Sequence, residues 1–479
     1  MTDLLTDPQP ATPRRPLVNR SKGTKLLVVC VLAVLMSIPA SLVFFLLLDR
    51  THRAETVTTE IGSLVGGPQT FLGPVVAVPY VVPPRTVTDP QGGHSVTTQQ
   101  SGTLLVFPVT GDATATSKSE VRSRSLFRVP VYTTDLHFNA RFDLSGVVAP
   151  DGGVLDWSHA RLIAGASDSR GARKDITAVA DGAGLTLAPA SEGAQSLNVP
   201  DGNDHIDLFT APLFTGPLAA LDLSKPHTVS LDMSFTGAKK LGVLAFAKST
   251  TVTLSGDWNT PSFGGGFLPA TRAFHHDTQT PLVKGETDLK SGFRATWSVP
   301  FVARGLPAVI TLDNLSSLAK SELSVSFVES TNPYQNVGRS LKYALLFVGL
   351  VFLTYFVFES TSKRELHPAQ YILIGLAQCT FYLLLLSLAE RIGFDLAFAA
   401  AATATVGLIS AYAGMVFKSA GRGIAALVIF SLLYAMIYTL MCMEDYALLI
   451  GAISAFVVIA AVMVLTRNLN WYGNSETAA

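Results

Sequence analysis

The sequence contains three short motifs whose residue types and spacing occur in serine acyl-transfer enzymes. Residues 317–320 (SLAK) have the S-x-x-K spacing, in which a nearby lysine can activate a serine hydroxyl. Residues 196–198 (SLN) have the S-x-N spacing, and residues 290–292 (KSG) have the K-[ST]-G spacing. Together the three motifs would be typical of a penicillin-binding protein or a β-lactamase.

The order of the motifs argues against this class of enzyme. The S-x-x-K serine should come first and open a helix buried in an α/β domain, whereas here it comes last. A second S-x-x-K match at residues 360–363 shows how readily the pattern arises by chance. The sequence therefore predicts no catalytic residues.

Metal-binding and nucleotide-binding patterns are equally weak. Residues 275–277 (HHD) could suggest a metal site, but adjacent side chains of an extended chain point to opposite faces and cannot easily share one ion. Asp201, Asp204 and Asp207 form a small acidic cluster, which we interpret as a solvated turn and not as a calcium loop. No H-E-x-x-H, paired C-x-x-C or P-loop motif occurs. We predict no metal ligands and no cofactor.

Long apolar segments indicate a membrane protein. Hydrophobic residues make up 48% of the chain and charged residues 15%, and the mean hydropathy is +0.38. About 20 apolar residues in a helix cross the hydrocarbon layer of a bilayer. We predict six membrane spans, at residues 26–48, 343–358, 369–389, 396–417, 423–443 and 447–465.

The first span is predicted to be an uncleaved signal anchor. Residues 1–25 form a basic, proline-containing tail that cannot build a core, and we expect it to be disordered. A cleaved signal peptide is the alternative, but no A-x-A-like cleavage site follows the apolar run. Pro39 is expected to kink the helix, with Ser37 satisfying freed backbone groups.

The positive-inside rule predicts the orientation. Basic residues lie before the first span and in two loops, at residues 14–25, 363–364 and 418–422. Such residues mark the cytoplasmic side, so both termini should be cytoplasmic, the second being a tail at residues 467–479. Residues 49–341 would then lie in the periplasm, followed by five transmembrane helices within residues 342–466.

Residues 49–341 are predicted to form an all-β domain. Segments 73–82, 103–109 and 135–144 combine β-branched and aromatic residues with near alternation. Between residues 228 and 235 the odd-numbered positions are apolar and share one face. We expect antiparallel sheets packed as a sandwich, in one large or two smaller domains. Because no cysteine lies in this region, the domain must be held by its own core.

A few polar or small side chains stand out in or beside the spans. Glu359 and Glu390 lie at span edges and are expected to anchor or cap helices. Gln378 lies in the middle of a span and is expected to make an interhelical hydrogen bond. A row of small side chains at four-residue spacing predicts a close helix contact; it consists of Ala399, Thr403, Gly407 and Ala411.

Further motifs, in the right order from the first span to Tyr472, resemble those of the CreD family of bacterial inner-membrane proteins. They are at residues 67–69 with 72–74, 261–263 with 267–269, 292–297, 342–344, 358–359, 366–371, 381–394 and 466–472. The proline-rich tail is additional, and Gly305 stands where the family would have asparagine. The resemblance implies a Gram-negative envelope protein that responds to a two-component system and affects envelope integrity and tolerance to β-lactams or colicins. It implies no catalytic residues.

These observations together predict a mixed membrane protein with a signal-anchor helix, a large sandwich-like β domain in the periplasm and a bundle of five C-terminal transmembrane helices. We expect a non-enzymatic protein in contact with membrane lipids, whose β domain binds a lipid, a glycan or an envelope protein. The alternatives are a transporter or channel component gated by the β domain and, more remotely, a cell-wall hydrolase. A net charge of zero, from 35 basic and 35 acidic residues, argues against nucleic acid.

Overall fold

The chain forms two compact units. A computed structural model describes residues 22–84, 86–88, 94–96, 99–124, 127–190, 213–218, 222–274, 292–327, 333–362 and 364–442, with isolated positions between 449 and 467. One unit comprises the described parts of Met1–Arg53 and Thr331–Ala479, and the other lies within Ala54–Ser330. We refer to them as the helical unit and the β unit.

The β unit is built mainly of strands, as predicted. Seventeen of the described strands join in one hydrogen-bonded system, and β2 and β3 pair separately. The strands are β1 (Gln69–Val82), β2 (Thr86–Thr88), β3 (His94–Val96), β4 (Gln100–Val106), β5 (Thr110–Arg124), β6 (Phe127–Phe142), β7 (Val154–Leu155), β8 (Arg161–Ala166), β9 (Ile176–Ala180), β10 (Ala183–Pro189), β11 (Phe214–Pro217), β12 (His227–Ala238), β13 (Lys240–Leu244), β14 (Ser249–Gly256), β15 (Pro261–Gly265), β16 (Thr271–Phe274), β17 (Phe293–Val299), β18 (Val309–Thr311) and β19 (Glu322–Phe327).

The strands fall into two sets that share a core. In the first set, β1 pairs with β4 and β8, and in the second the β5–β6 hairpin pairs with β12 and β14. The rings of Phe71 on β1 and Phe235 on β12 lie 5.1 Å apart edge to face, so the inner faces of the two sets contact each other. The expectation of purely antiparallel sheets is wrong at two pairs, because β1–β13 and β5–β14 are parallel.

The alternating apolar pattern between residues 228 and 235 does mark a core-facing strand. Val229, Leu231, Met233 and Phe235 on β12 are all buried. Successive side chains of a strand point to opposite faces, so these four point into the shared core. The pattern therefore located both the strand and its buried face.

The helices account for the rest of the regular structure. They are α1 (Lys22–Leu35), α2 (Ser37–Leu64), α3 (Phe301–Arg304), α4 (Pro333–Lys342), α5 (Ala344–Ser360), α6 (Pro368–Ile392), α7 (Phe394–Val416) and α8 (Ala420–Cys442). Four short 3₁₀ segments lie at Pro150–Gly152, Trp157–His159, Ser169–Gly171 and Leu312–Ser321. Of these helices, α3, the 3₁₀ segments and the end of α2 from residue 54 onward belong to the β unit.

The N-terminal helix is interrupted between Leu35 and Ser37, close to Pro39, which has no N–H to donate. Pro39 has no N–H, so the carbonyl of Leu35 lacks its partner four residues on, and α1 ends at Leu35. The compensation expected from the Ser37 side chain stays a prediction; nearby, the Ser41 hydroxyl donates to the Ser37 carbonyl at 2.7 Å. Beyond the predicted end of the span α2 continues to Leu64, and the Thr51 hydroxyl donates to the Leu47 carbonyl at 2.9 Å.

The helical unit contains several candidate membrane spans. Four described helical segments are long and apolar enough to cross a membrane, namely Gly23–Leu64, Pro368–Ile392, Phe394–Val416 and Ala420–Cys442. A fifth candidate is formed by α4 and α5 together, which are bent by 52° at Tyr343. Residues 333–341 fall in the range that the sequence assigned to the β domain, and the structure shows them as helix. The sixth predicted span, residues 447–465, lies largely outside the described residues.

Candidate functional site

The structure does not pair Ser317 with Lys320 of the S-x-x-K motif. Ser317 lies in the 3₁₀ segment Leu312–Ser321, where its hydroxyl donates to the Asn314 carbonyl at 2.6 Å. Lys320 is exposed, and no hydrogen bond joins these two described side chains. Residues 196–198, 290–291 and 275–277 and the cluster of Asp201, Asp204 and Asp207 lie outside the described residues.

A serine, a histidine and an aspartate do meet at another turn, but not as a catalytic triad. Nδ1 of His159 lies 2.6 Å from Asp156 and 3.1 Å from the Ser158 hydroxyl. A triad needs the serine at one ring nitrogen and the carboxylate at the other. Hydrogen bonds from Ser158 and His159 hold the pKa of the Asp156 carboxyl below its usual range, as expected for a capped turn.

Metal chemistry has no site in the part of the chain that the structure describes. Within it, no three histidine, cysteine, aspartate or glutamate side chains are close enough to hold an ion together. Two polar sites in the helical unit surround glutamates that the sequence placed at span edges.

The first of these sites surrounds Glu359, the penultimate residue of α5. Its carboxylate is buried and contacts the ammonium group of Lys25 on α1. Oε1 accepts a hydrogen bond from the Leu366 N–H at 2.7 Å, and Oε2 accepts one from the Tyr371 hydroxyl at 2.8 Å. We call Lys25, Glu359 and Tyr371 the Glu359 cluster. A buried carboxylate is stable only when paired and hydrogen-bonded, and this one is both.

The local sequence explains why the Glu359 cluster forms. His367 is the N-cap of α6, and Nδ1 accepts a hydrogen bond from the Ala369 N–H at 3.2 Å. The Gln370 side chain accepts from the His367 N–H at 2.9 Å, which completes a capping box. Pro368 follows the cap at the first helical position, where its fixed φ suits the helix. Residues 358–359 and 366–371, two of the stretches that resemble the CreD family, thus converge on one carboxylate.

The second site surrounds Glu390, in the last turn of α6. The Tyr334 hydroxyl of α4 donates to Oε1 at 3.1 Å, and Nη1 of Arg50 on α2 lies 4.0 Å from Oε2. We call Arg50, Tyr334 and Glu390 the Glu390 cluster. It repeats the composition of the first, with a cation from the N-terminal helix and a tyrosine from a later one. Its ion pair is longer and its cation more exposed, at 37% against 16% for Lys25.

The two clusters lie at opposite ends of α6. This helix has 25 residues, or about 37 Å at 1.5 Å per residue, which exceeds a hydrocarbon thickness of about 30 Å. The sequence between the clusters, residues 26–48 and 369–389, carries no aspartate, glutamate, lysine or arginine. Both glutamates therefore anchor helix ends, as predicted, whereas their partners Lys25 and Arg50 are distant in sequence and were not foreseen.

The row of small residues that was predicted to contact another helix is exposed instead. Ala399, Thr403, Gly407 and Ala411 are exposed, and a β-carbon at Gly407 would meet nothing within 4 Å. The close approach of α7 and α8 occurs elsewhere, since a β-carbon at Gly423 would lie 3.2 Å from the Gly414 Cα. Four-residue spacing shows that side chains share a face, but not that another helix covers it.

The carbonyl oxygen of Gln378 does not make the expected interhelical hydrogen bond within the described part of the chain. Gln378 is buried, and its Oε1 has no hydrogen-bond partner among the described residues. The Ser410 hydroxyl on α7 is likewise buried and unpartnered within the described chain. Among the described residues, two polar atoms inside the helical unit therefore have no hydrogen-bond partner, which is costly in an apolar setting.

Comparisons with known proteins cover nearly the whole chain. Residues 21–472 match the family described as Inner membrane protein CreD. The chain is also similar to Inner membrane protein CreD of Escherichia coli (strain K12), with 26% identity over 447 residues. That similarity spans 92% of this chain and 92% of the relative.

Proposed function

Because this chain belongs to the CreD family of inner membrane proteins, we propose that it supports the cell envelope by binding and not by catalysis. In this proposal the helical unit anchors the protein, and the β unit binds a lipid, a glycan or another membrane protein. The observation that carries it is the pair of clusters at Glu359 and Glu390, which join the N-terminal helix to later helices at both ends of α6.

The clusters favour a helical unit that stays assembled. Removing one partner from a buried ion pair costs about 3–5 kcal/mol, because an uncompensated charge remains. The first helix therefore resists separation from α5 and α6 at the Glu359 cluster. In sequence, the β unit follows α2 and precedes α4. Both of these helices contribute a side chain to the Glu390 cluster. Such an arrangement suits a fixed binding domain.

Charge at the helix ends supports the proposed orientation. Arg422 of α8 donates to the Thr361 carbonyl at 3.1 Å, close in sequence to Glu359, and Lys25 lies at the same cluster. A basic end is expected to face the cytoplasm. The opposite end contains Tyr334 of α4, from which the chain connects to the β unit. We therefore place the β unit in the periplasm and both termini in the cytoplasm.

The β unit offers a surface for a polar ligand. An open groove of about 320 Å³ crosses β5, β6 and β12 and is lined by polar side chains that include Asp112, Asn139, Arg141 and Ser230. Carboxylate, amide, guanidinium and hydroxyl groups together can hydrogen-bond the hydroxyls of a glycan or the headgroup of a lipid. The groove is consistent with recognition of an envelope component.

Transport is the second candidate, and one observation favours it. The unpartnered Oε1 of Gln378 and hydroxyl of Ser410 are buried polar atoms within predicted spans, and such atoms can line a path for water or a small solute. Solute flux through proteoliposomes that contain the full chain would distinguish this function from binding. We favour binding, because the described spans have their buried carboxylates at the ends and not along the interior.

A complementation experiment tests the proposal. In a strain that lacks its own copy, uptake of a fluorescent hydrophobic dye reports envelope damage, and the full chain should lower it. A chain in which residues 69–327 are replaced by a flexible linker should reach the membrane at equal level and fail to lower uptake. Full protection by the chain without the β unit would overturn the binding proposal and favour the helical unit as the active part.

A further inference from the structure

One turn of the β unit presents apolar side chains to its surroundings. Residues 300–303 (PFVA) are all exposed, with Phe301 at 43% and Val302 at 90%. We call this segment the apolar turn. A run of three or four exposed apolar residues is unfavourable in water unless it contacts something else.

The residue that follows the apolar turn, Arg304, is fixed by contacts with the rest of the β unit. This residue is buried, and its Nη2 donates to the Pro307 carbonyl at 3.1 Å. Its guanidinium carbon lies 4.1 Å from the centre of the Phe107 ring, a cation–π contact. Gly305 ends α3 with φ of 69°, a conformation that glycine and asparagine both tolerate, so the departure from asparagine leaves this turn intact. The contacts of Arg304 with Pro307 and Phe107 thus stabilise the conformation of the exposed residues before it.

Arg304 also places positive charge under the turn. Its Nε and Nη1 are buried and have no hydrogen-bond partner in the described part of the chain. Burial lowers the pKa of Arg304 to about 10, so the group remains charged at neutral pH. A cation in a medium of low dielectric attracts anions more strongly than one in water.

A second exposed apolar side chain lies on a loop beside β17, the strand that leads into the apolar turn. Leu268 is 79% exposed, and its loop between β15 and β16 contacts β17, since Trp297 donates to the Phe267 carbonyl at 3.0 Å. Arg272 and Lys320 are exposed beside this loop, and the Lys320 carbonyl lies where a β-carbon of Gly266 would point. Apolar side chains flanked by exposed cations are typical of segments that lie in the interface of a membrane with anionic lipids.

We propose that the apolar turn and Leu268 insert into the headgroup region of an anionic lipid bilayer, with Arg272 and Lys320 facing the lipid phosphates. This inference rests on the proposed binding function and specifies lipid as the ligand of the β unit at this surface. A lipid surface is favoured over a protein partner because the exposed cations Arg272 and Lys320 lie beside the Leu268 loop, and because the β unit is joined in sequence to membrane helices at both ends.

Site-specific photo-crosslinking tests the proposal in the full chain. Val302→p-benzoylphenylalanine is reconstituted in vesicles of phosphatidylethanolamine and phosphatidylglycerol, irradiated, and analysed by mass spectrometry. The control is Val154→p-benzoylphenylalanine, since Val154 is 69% exposed on the same unit, at β7. We expect a several-fold greater yield of lipid adducts at residue 302 than at residue 154. Adding Arg272→Gln and Lys320→Gln should lower the yield at residue 302 several-fold.

Two outcomes would overturn the inference. Lipid adducts at residue 302 that are no more abundant than at residue 154 would show that the turn does not enter the bilayer. Crosslinks between two copies of the chain, in place of lipid adducts, would show that it is a protein interface. Neither outcome changes the dye uptake measured in the complementation experiment. The failure of this inference is therefore distinguishable from the failure of the proposed function.

Discussion

The hydroxyl of Tyr371 donates to the carboxylate of Glu359 at 2.8 Å, and Lys25 contacts the same carboxylate from the first helix. The first helix and the two neighbouring helices α5 and α6 thereby meet at one buried charge. Because the Leu366 N–H also donates to this carboxylate, each of its oxygens has at least one partner. The stability of the helical unit should depend on this site more than on the surface ion pairs around it.

Glu359→Gln is expected to lower the free energy of unfolding of the helical unit by about 3 kcal/mol, because Lys25 loses its buried counter-charge. The measurement is reversible unfolding of the full chain in mixed micelles. Glu365→Gln is the matched control, since Glu365 lies 3.4 Å from Lys25 but is 87% exposed. That control should change stability by less than about 1 kcal/mol. Equal effects of the two substitutions would contradict the role given to Glu359.

Gly423→Leu is expected to destabilise the contact between α7 and α8, because a side chain there would meet the Gly414 backbone. Gly407→Leu should be close to wild type, since Gly407 is exposed and has open space around it. Heat-induced aggregation in detergent, measured side by side, checks both. Destabilisation by Gly407→Leu alone would support the helix contact that the sequence predicted at the row of small residues.

Hydropathy was sufficient to locate three of the later long apolar helices. The predicted segments 369–389, 396–417 and 423–443 correspond to α6, α7 and α8 within a few residues at each end. Apolar alternation likewise identified the buried face of β12. These features were predictable because they depend on the composition of a single segment and on the period of its secondary structure.

Features that depend on contacts between distant segments were not predictable. Nothing near Glu359 in sequence indicates Lys25, and nothing near Glu390 indicates Arg50. The extension of α2 to Leu64 was missed because residues 49–64 are polar and rich in threonine, a residue of low helix propensity. The Arg304 support was missed because an isolated arginine in a loop is ordinarily solvated.

The β unit should lose stability in acid partly through Asp181. Burial raises the pKa of Asp181, but hydrogen bonds from the His227 ring and the Thr228 N–H outweigh it and hold the pKa below its usual range. A lowered folded-state pKa stabilises the fold above the unfolded value of about 3.9. This stability is lost as the pH falls from there through the lower folded value. Asp181→Asn should therefore flatten the pH dependence of the melting temperature below about pH 5.

Melting followed by the β-sheet circular dichroism signal of the full chain checks this dependence. His227→Gln should flatten it in the same direction, since His227 lies 2.5 Å from the Asp181 carboxylate. If the pH dependence of the melting temperature is unchanged in Asp181→Asn, the pair of Asp181 and His227 does not contribute to stability in acid.

Reporter fusions test the orientation of the helices. Alkaline phosphatase, which is active only in the periplasm, should be active when fused after Gly171 and inactive when fused after His367. A fusion after Gly421 should also be inactive, because α7 is long enough to span. Activity after Gly421 would mean that α7 does not cross the membrane.

The most direct test of binding against catalysis is dye uptake by cells that carry Ser317→Ala in place of the wild-type chain. The Ser317 hydroxyl donates to a backbone carbonyl and makes no hydrogen bond with Lys320, so neither side chain is set up for acyl transfer. The variant should reach wild-type protein levels and lower dye uptake as well as the wild type does. Loss of protection in Ser317→Ala at an unchanged protein level would contradict the binding account, decisively so if a fluorescent penicillin labels the wild type but not this variant.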